Sequence, residues 1–237
     1  MTFSRAIAVP VIDGIDWATF EYSSVYSSRD NPVGIFEWGF FYKEANLPLQ
    51  KGKLSSEPYH SPTHAGGLLA IDRHFFKELG YYDQGLLVWG GEQYELSFKV
   101  WMCHGAVLWV PCSRIGHVYR GPGRSTASSK YTSQVPLSDL NHKRVVDTWF
   151  DEEHRKYFYR RHPELDGFSV DVRDQIALKN RLQCKSFSWF MKDVAPFLLD
   201  SYPSRTFDDT SEYEKADYRA GAPSPSILPD RQRPTDK

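Results

Sequence analysis

The chain has 237 residues, 41% of them apolar and 15% aromatic, enough for one domain with a real core, or one domain and a tail. Its 29 Lys and Arg nearly cancel its 30 Asp and Glu, which removes the usual electrostatic reason to expect a nucleic-acid partner. No apolar run approaches the roughly 18 residues of a membrane span, and Met1 to Arg5 does not open a signal peptide.

The first element in chain order is Ile7 to Ile12, a β-branched apolar run closed by Asp13-Gly14. It is expected to be a buried strand, with Pro10 marking an edge or a bulge. A polar loop, Ser23 to Pro32, separates it from an aromatic-rich strand, Gly34 to Tyr42, and a second loop covers Lys51 to Pro62. Ala65 to Ala70 is small and apolar. Asp72 then stands where it can cap a helix carrying Phe75, Phe76 and Leu79 on one side, with Gly80 as its stop. Tyr82-Asp83-Gln84-Gly85 reads as a turn. A second helix is expected from Gln93 to His104, with Leu96, Val100 and Cys103 at helical spacing and Gly105 ending it. Ala106 to Val110 reads as a strand, followed by Pro111 to Arg120 and a Gly/Pro/Ser-rich loop, Gly121 to Ser129. A long helix is predicted over Asn141 to Arg161, and shorter ones near Val172 to Leu182 and Phe187 to Val194. Residues 1–202 are thus expected to form the folded unit. Residues 203–237, rich in Asp, Ser, Arg and Pro, are predicted to be a disordered tail.

Three cysteines are present, Cys103, Cys112 and Cys184, with no Cys-x-x-Cys pair. Either all are buried thiols or one pair is bridged; composition favours the first. His142 and His154 fall on a polar helix face and are expected to be solvated.

Three segments can carry chemistry. Gly66-Gly67 lets backbone N–H groups approach a sugar or phosphate closely, although a bare Gly-Gly is more often a tight turn. Trp89-Gly90-Gly91-Glu92 sets a large ring beside two flexible glycines. It reads as a mobile flap whose indole stacks on the C–H face of a sugar, or as a core Trp followed by a helix-capping Glu. In Cys112 to Arg120, His117 follows a strand between two arginines. His117 can bind a divalent metal, and Arg114 or Arg120 can neutralise a diphosphate. The alternative is a surface His with two solvated arginines. Asp13 and Asp83 are the nearest candidate carboxylates for a metal, and neither has an Asp-x-Asp or Asp-x-His pairing. The chain has no Gly-x-Ser-x-Gly elbow, phosphate-binding Gly-Lys loop or His-Glu-x-x-His helix.

Taken together, Ser61-Pro62-Thr63-His64-Ala65-Gly66-Gly67-Leu68, Tyr82 to Glu92, Glu95 to Trp101 and Pro111 to Arg120 closely resemble the polypeptide N-acetylgalactosaminyltransferases. Cys184 to Phe190 resembles the end of their catalytic domain, so the resemblance runs from about Ile7 to Pro203. It implies an α/β fold of the GT-A nucleotide-sugar type, present in part, with UDP-GalNAc as donor, a Ser or Thr of a polypeptide or glycopeptide as acceptor, Mn²⁺ as cofactor and the Golgi lumen as location. It makes His117 a metal ligand, and Ala65, Gly66, Gly67 and Arg120 donor-binding residues. Trp89 becomes the flap over UDP, Glu92 the acid that holds the sugar, and Tyr42 and Tyr119 acceptor-facing. It also implies a Cys103–Cys184 bridge. Phe36 to Gly39 and Tyr42 to Glu44 are most similar to members that prefer already glycosylated acceptors. With no evident covalent nucleophile, same-face displacement with retention fits best. The family's Asp-x-His, uridine-binding half, membrane anchor and lectin domain have no counterpart in the sequence. The chain therefore reads as a fragment, a splice product or an incomplete gene model, with a non-catalytic family product or another GT-A enzyme of the β-galactosyltransferase type as alternatives.

Overall fold

The computed structural model describes residues 4–27, 30–47, 54–119 and 133–198. Its frame is a pair of long parallel strands, β1 (Ala6–Ile15) and β7 (Ala106–Val118). Between them along the chain lie β2 (Tyr22–Ser23), β3 (Pro32–Phe36), β4 (Tyr42–Asn46), β5 (Tyr59–His60) and β6 (Ala70–Ile71). β2 and β6 add antiparallel to opposite ends of one edge of β1, and β5 pairs antiparallel with β7, completing a mixed five-stranded sheet. The irregularity expected at Pro10 is present. Pro10 lies opposite Val110 but Val11 lies opposite Arg114, so β7 accommodates three extra residues, Pro111 to Ser113, as a bulge. Beyond it, β7 continues to Val118, past the expected end at Val110, because the second half of β1 pairs with it.

The single strand expected over Gly34 to Tyr42 is instead a hairpin of β3 and β4, with Glu37 to Phe41 as its turn. Phe40 N–H donates to the Glu37 carbonyl at 2.8 Å, and the Glu37 carboxylate accepts the Phe41 N–H at 3.3 Å. The turn carries its aromatics inward. Trp38 meets Tyr157 at 4.8 Å between ring centres, and Phe40 meets Tyr94 at the same separation. Packing thus overrides a strand-like local pattern.

Helix α1 (Arg73–Glu78) starts as expected, the Asp72 carboxylate accepting the N–H groups of His74 and Phe75. Helix α2 (Glu92–Met102) crosses the core behind the sheet. The long helix expected over Asn141 to Arg161 is two, α3 (Leu137–Trp149) and α4 (Glu152–Arg161). Phe150 turns extended between them, and its ring stacks on Phe187 at 3.7 Å. The Asp151 carboxylate accepts the N–H groups of Phe187 and Ser188 and the Ser188 hydroxyl. A continuous helix would forfeit both anchors. Helix α5 (Arg173–Arg181) and a short α6 (Phe187–Trp189), which runs on as a π-turn over Phe190–Val194, close the structure.

Phe36 is the hub of the core, within 6.5 Å of the rings of Phe98, Phe150, Phe187 and Phe190. The expected solvation of two histidines fails here. His142 packs against Phe40 and Tyr94, and His154 against Trp38 and Phe187, so neither is solvated; the hairpin and α6 cover the helix face that looked polar. For the cysteines, composition favoured buried thiols, but the bridge implied by the family resemblance is present: Cys103 and Cys184 are joined, 81 positions apart in sequence, while Cys112 is free and exposed. No helix among the described residues is long and apolar enough to cross a membrane. The expected tail, residues 203–237, lies outside the described residues.

Candidate functional site

The segment from Asp83 to Glu92 enters α2 through a run of left-handed residues: Val88 at φ 60°, Gly90 at 102° and Gly91 at 92°. Two glycines make this path possible, since a side chain at Gly90 would approach Ser138 at 3.0 Å even apart from its φ. Gly91 is the N-cap of α2 and Glu92 its first residue. The Glu92 carboxylate accepts the Gly90 N–H at 2.8 Å, so it braces the turn from a helix start where negative charge is favoured. Trp89 projects from the turn and is 74% exposed, the most exposed large apolar side chain among the described residues. A flat ring held in solvent by a fixed backbone can stack on a sugar. As a core residue it would be buried, so that alternative is removed.

The Gly66-Gly67 turn lies against this entry. Both glycines have positive φ, 82° and 78°, and a side chain on Gly66 would touch the Cβ of Gln93 at 3.3 Å. His64, which sequence reasoning passed over, holds the turn. Its Nδ1 accepts the Gly66 N–H at 2.9 Å, which leaves the proton on Nε2. Ala65, half-buried, connects the two. Gly67 meets nothing and opens onto a cleft of about 340 Å³ between Leu68 to Ala70 and Pro10, Val110 and Ile115. Thr63 joins this segment to the hairpin, its N–H donating to the Gly34 carbonyl at 3.0 Å. The Tyr42 hydroxyl lies where a side chain on Gly34 would fall, and it donates to Glu44 at 3.2 Å. Desolvation, with Tyr119 close by, raises the Tyr42 hydroxyl well above its ordinary pKa.

Burial lowers His64 to a pKa of about 4 from an ordinary 6.5. A base with a depressed folded pKa contributes stability at pH above 6.5 that is lost as pH falls towards 4. His64→Met is therefore expected to flatten the decline in urea midpoint between pH 7 and 4 relative to the unaltered chain. An unchanged slope would show that His64 is not buried neutral.

His117 is exposed near the end of β7, opposite Gly14 of β1, with its ring 4.3 Å from that of Tyr119. The neighbouring Asp13 does not join it. Asp13 is wholly buried and takes two hydrogen bonds from Arg114, at 2.8 and 2.7 Å, one from the Val25 N–H and a short one from the Tyr22 hydroxyl. Burial raises its carboxyl, but the Arg114 and Tyr22 hydrogen bonds outweigh this and hold it below the usual carboxylate range. Asp83 is likewise paired with Arg144, at 2.5 and 2.8 Å. Both carboxylates considered as metal ligands are thus committed to arginines. Arg114, considered for a diphosphate, is committed to Asp13. Among the described residues His117 belongs to no group of three or more His, Cys, Asp or Glu side chains close enough together to hold a metal ion. Arg120 lies outside the described residues. The structure therefore brings Gly66 against Gln93 in the first turn of α2, joins the Gly66-Gly67 segment through Thr63 to Gly34 beside the Tyr42 hydroxyl, and sets Tyr119 beside His117 and in electrostatic reach of Tyr42.

Comparisons with known proteins converge on one group. A family profile described as the N-terminal domain of galactosyltransferase matches residues 51–121, the stretch holding both glycine turns and His117. The chain is 52% identical over 206 residues to N-acetylgalactosaminyltransferase 7 of Drosophila melanogaster, covering 83% of this chain and 34% of that protein. It is 45% identical over 201 residues to human polypeptide N-acetylgalactosaminyltransferase 10, covering 84% of this chain and 32% of that protein. A crystal structure of GalNAc-T7 with UDP, GalNAc and Mn²⁺ superposes with a TM-score of 0.72 at 38% identity, over 84% of this chain and 37% of that one. The chain spans about a third of the length of the curated relatives it matches. It is homologous over most of its length to the polypeptide N-acetylgalactosaminyltransferases, and its α/β architecture is part of a GT-A fold.

Proposed function

We propose that this chain is the C-terminal half of the catalytic domain of a polypeptide N-acetylgalactosaminyltransferase, acting in transfer of GalNAc from UDP-GalNAc to Ser or Thr of a polypeptide or glycopeptide with retention of configuration. The observation that carries this is the exposed Trp89 on a rigid turn above the Gly66-Gly67 segment and its open cleft. Trp89 covers the donor and excludes water, and Glu92 both braces that turn and faces the sugar hydroxyls. Ala65, Gly66 and Gly67 lie along the donor sugar; the Gly66 N–H is held by His64 Nδ1, and Gly67, with no Cβ and open space beside it, lets the sugar approach the backbone. Tyr42 and Tyr119 line the acceptor side. His117 supplies one ligand to Mn²⁺, the other ligands coming from outside the described residues. When bound, the ion offsets charge on the departing diphosphate. Arg120 serves the same diphosphate. Support for the Golgi lumen comes from the Cys103–Cys184 bridge, which persists in oxidising compartments.

Saturation-transfer NMR on the purified chain with UDP-GalNAc and Mn²⁺ tests this reading. Magnetisation should reach the C–H protons of the GalNAc ring, and Trp89→Ala should weaken binding roughly 5- to 10-fold, the scale of one aromatic stacking contact. No transfer to the sugar rejects the reading. The galactosyl alternative rests on the matched family profile. A preference for UDP-galactose over UDP-GalNAc in the same experiment would favour it.

A further inference from the structure

The side chain of Asn141, in the first turns of α3, reaches the turn between Leu86 and Gly91 and is 2% exposed. Its Oδ1 accepts the Leu87 N–H at 2.9 Å. Its Nδ2 donates to the carbonyls of Leu87 at 2.8 Å, Trp89 at 3.3 Å and Gly90 at 2.9 Å. These four contacts cross more than 50 residues of sequence.

The need for them follows from the backbone. With left-handed residues at 88, 90 and 91, the carbonyls of Leu87, Trp89 and Gly90 turn inward, and all three oxygens lie within 3.3 Å of Asn141 Nδ2. Converging carbonyls repel one another and are costly when desolvated, unless a donor stands between them. A primary amide supplies two N–H donors and an acceptor in one plane: its oxygen takes the Leu87 N–H, and its two N–H groups serve the three carbonyls, with the longer Trp89 contact sharing a hydrogen. Three residues along α3, Arg144 fixes the start of the same segment. It forms a two-point ion pair with Asp83, and its guanidinium occupies the place a side chain on Gly85 would take.

We infer that Asn141 is the positioning residue of the Trp89 turn: it fixes the backbone on both sides of Trp89 while leaving the indole free in solvent. The glycines suggest a mobile flap. The clamp makes the turn a preset platform, on which adjustment to a donor falls to the Trp89 side chain rather than to the backbone. This rests on the proposed donor role of Trp89, but the clamp can be tested without it.

The experiment is hydrogen–deuterium exchange on the whole chain, with Asn141→Ala and Asn141→Asp. The aspartate keeps the size and the acceptor but loses every donor, and it sets negative charge against three carbonyls. Both variants should speed exchange at the Leu87 and Gly90 amides roughly 10- to 100-fold, Asp more than Ala, with amides of β1 and β7 within about 3-fold of the unaltered chain. Unchanged exchange across residues 86–91 overturns the inference. So does a rise that appears only together with the β1 and β7 amides, since that marks general destabilisation. In parallel, saturation transfer to UDP-GalNAc should fall in both variants. If the unaltered chain gives no transfer at all, the donor reading fails, while the exchange result still decides the clamp.

Discussion

Lys99→Met is expected to cost about 3–5 kcal/mol of folding stability, measured by urea unfolding at pH 7, the scale found when one partner of a buried ion pair is removed. Lys99 and Glu95 lie one helical turn apart on α2, with side chains 0% and 1% exposed and Nζ to Oε1 at 2.5 Å. Nζ also donates to the Tyr81 carbonyl at 2.8 Å, tying α2 to the start of the Asp83 to Gly91 segment. Methionine matches the length of the stem but leaves a desolvated carboxylate with no cation. Burial already pushes the Glu95 carboxyl above its ordinary value, against the pull of Lys99. Without Lys99 it rises further, and the sign of the pH effect follows. An acid with a raised folded pKa weakens folding once the unfolded chain ionises, so the loss against the unaltered chain should shrink as pH falls to about 4.5. Adding Glu95→Leu should recover most of it, because apolar pairs of similar volume replace buried ion pairs with little loss. A deficit that persists in the double variant would place the cost in the lost Tyr81 contact or in packing instead.

Reduction of the Cys103–Cys184 bridge should cost about 4.5 kcal/mol, from the closure entropy of a loop spanning 81 residues. The bridge joins the end of α2 to the approach to α6, where the Lys185 N–H also donates to the Met102 carbonyl at 2.8 Å. It therefore links the helix that starts at the Trp89 turn to the aromatic layer of Phe187 and Phe190. Cys184→Ser should match the reduced chain in urea midpoint, and dithiothreitol should have no further effect on it. If reduction leaves the midpoint unchanged, the unfolded chain is not being restrained by the bridge. Cys112 is free, so a labelling count of one thiol before reduction and three after it accompanies the same experiment.

Much of the site is legible from local sequence. The start of α1 at Asp72, α2 with its stop before Gly105, the bulge marked by Pro10 and the two glycine turns all follow from residues close together in the chain. Capping, helical periodicity and positive φ are short-range properties, so short stretches encode them. The placement of Glu92 at a helix start is local in the same way, whereas the donor and metal roles proposed for Trp89, Glu92 and His117 come from the family resemblance.

What only the tertiary structure decided involves partners far apart in sequence. Arg114 was free to serve a diphosphate until the fold set it against Asp13, 101 residues away. His142 and His154 looked solvated until the hairpin and α6 closed over them. The break between α3 and α4 depends on Phe187 and Ser188, and no pattern within Asn141 to Arg161 contains them. The same limit hid Asn141. Its amide has meaning only beside three carbonyls turned inward, and that convergence exists only after the parallel strands and α2 have set the Trp89 turn against α3.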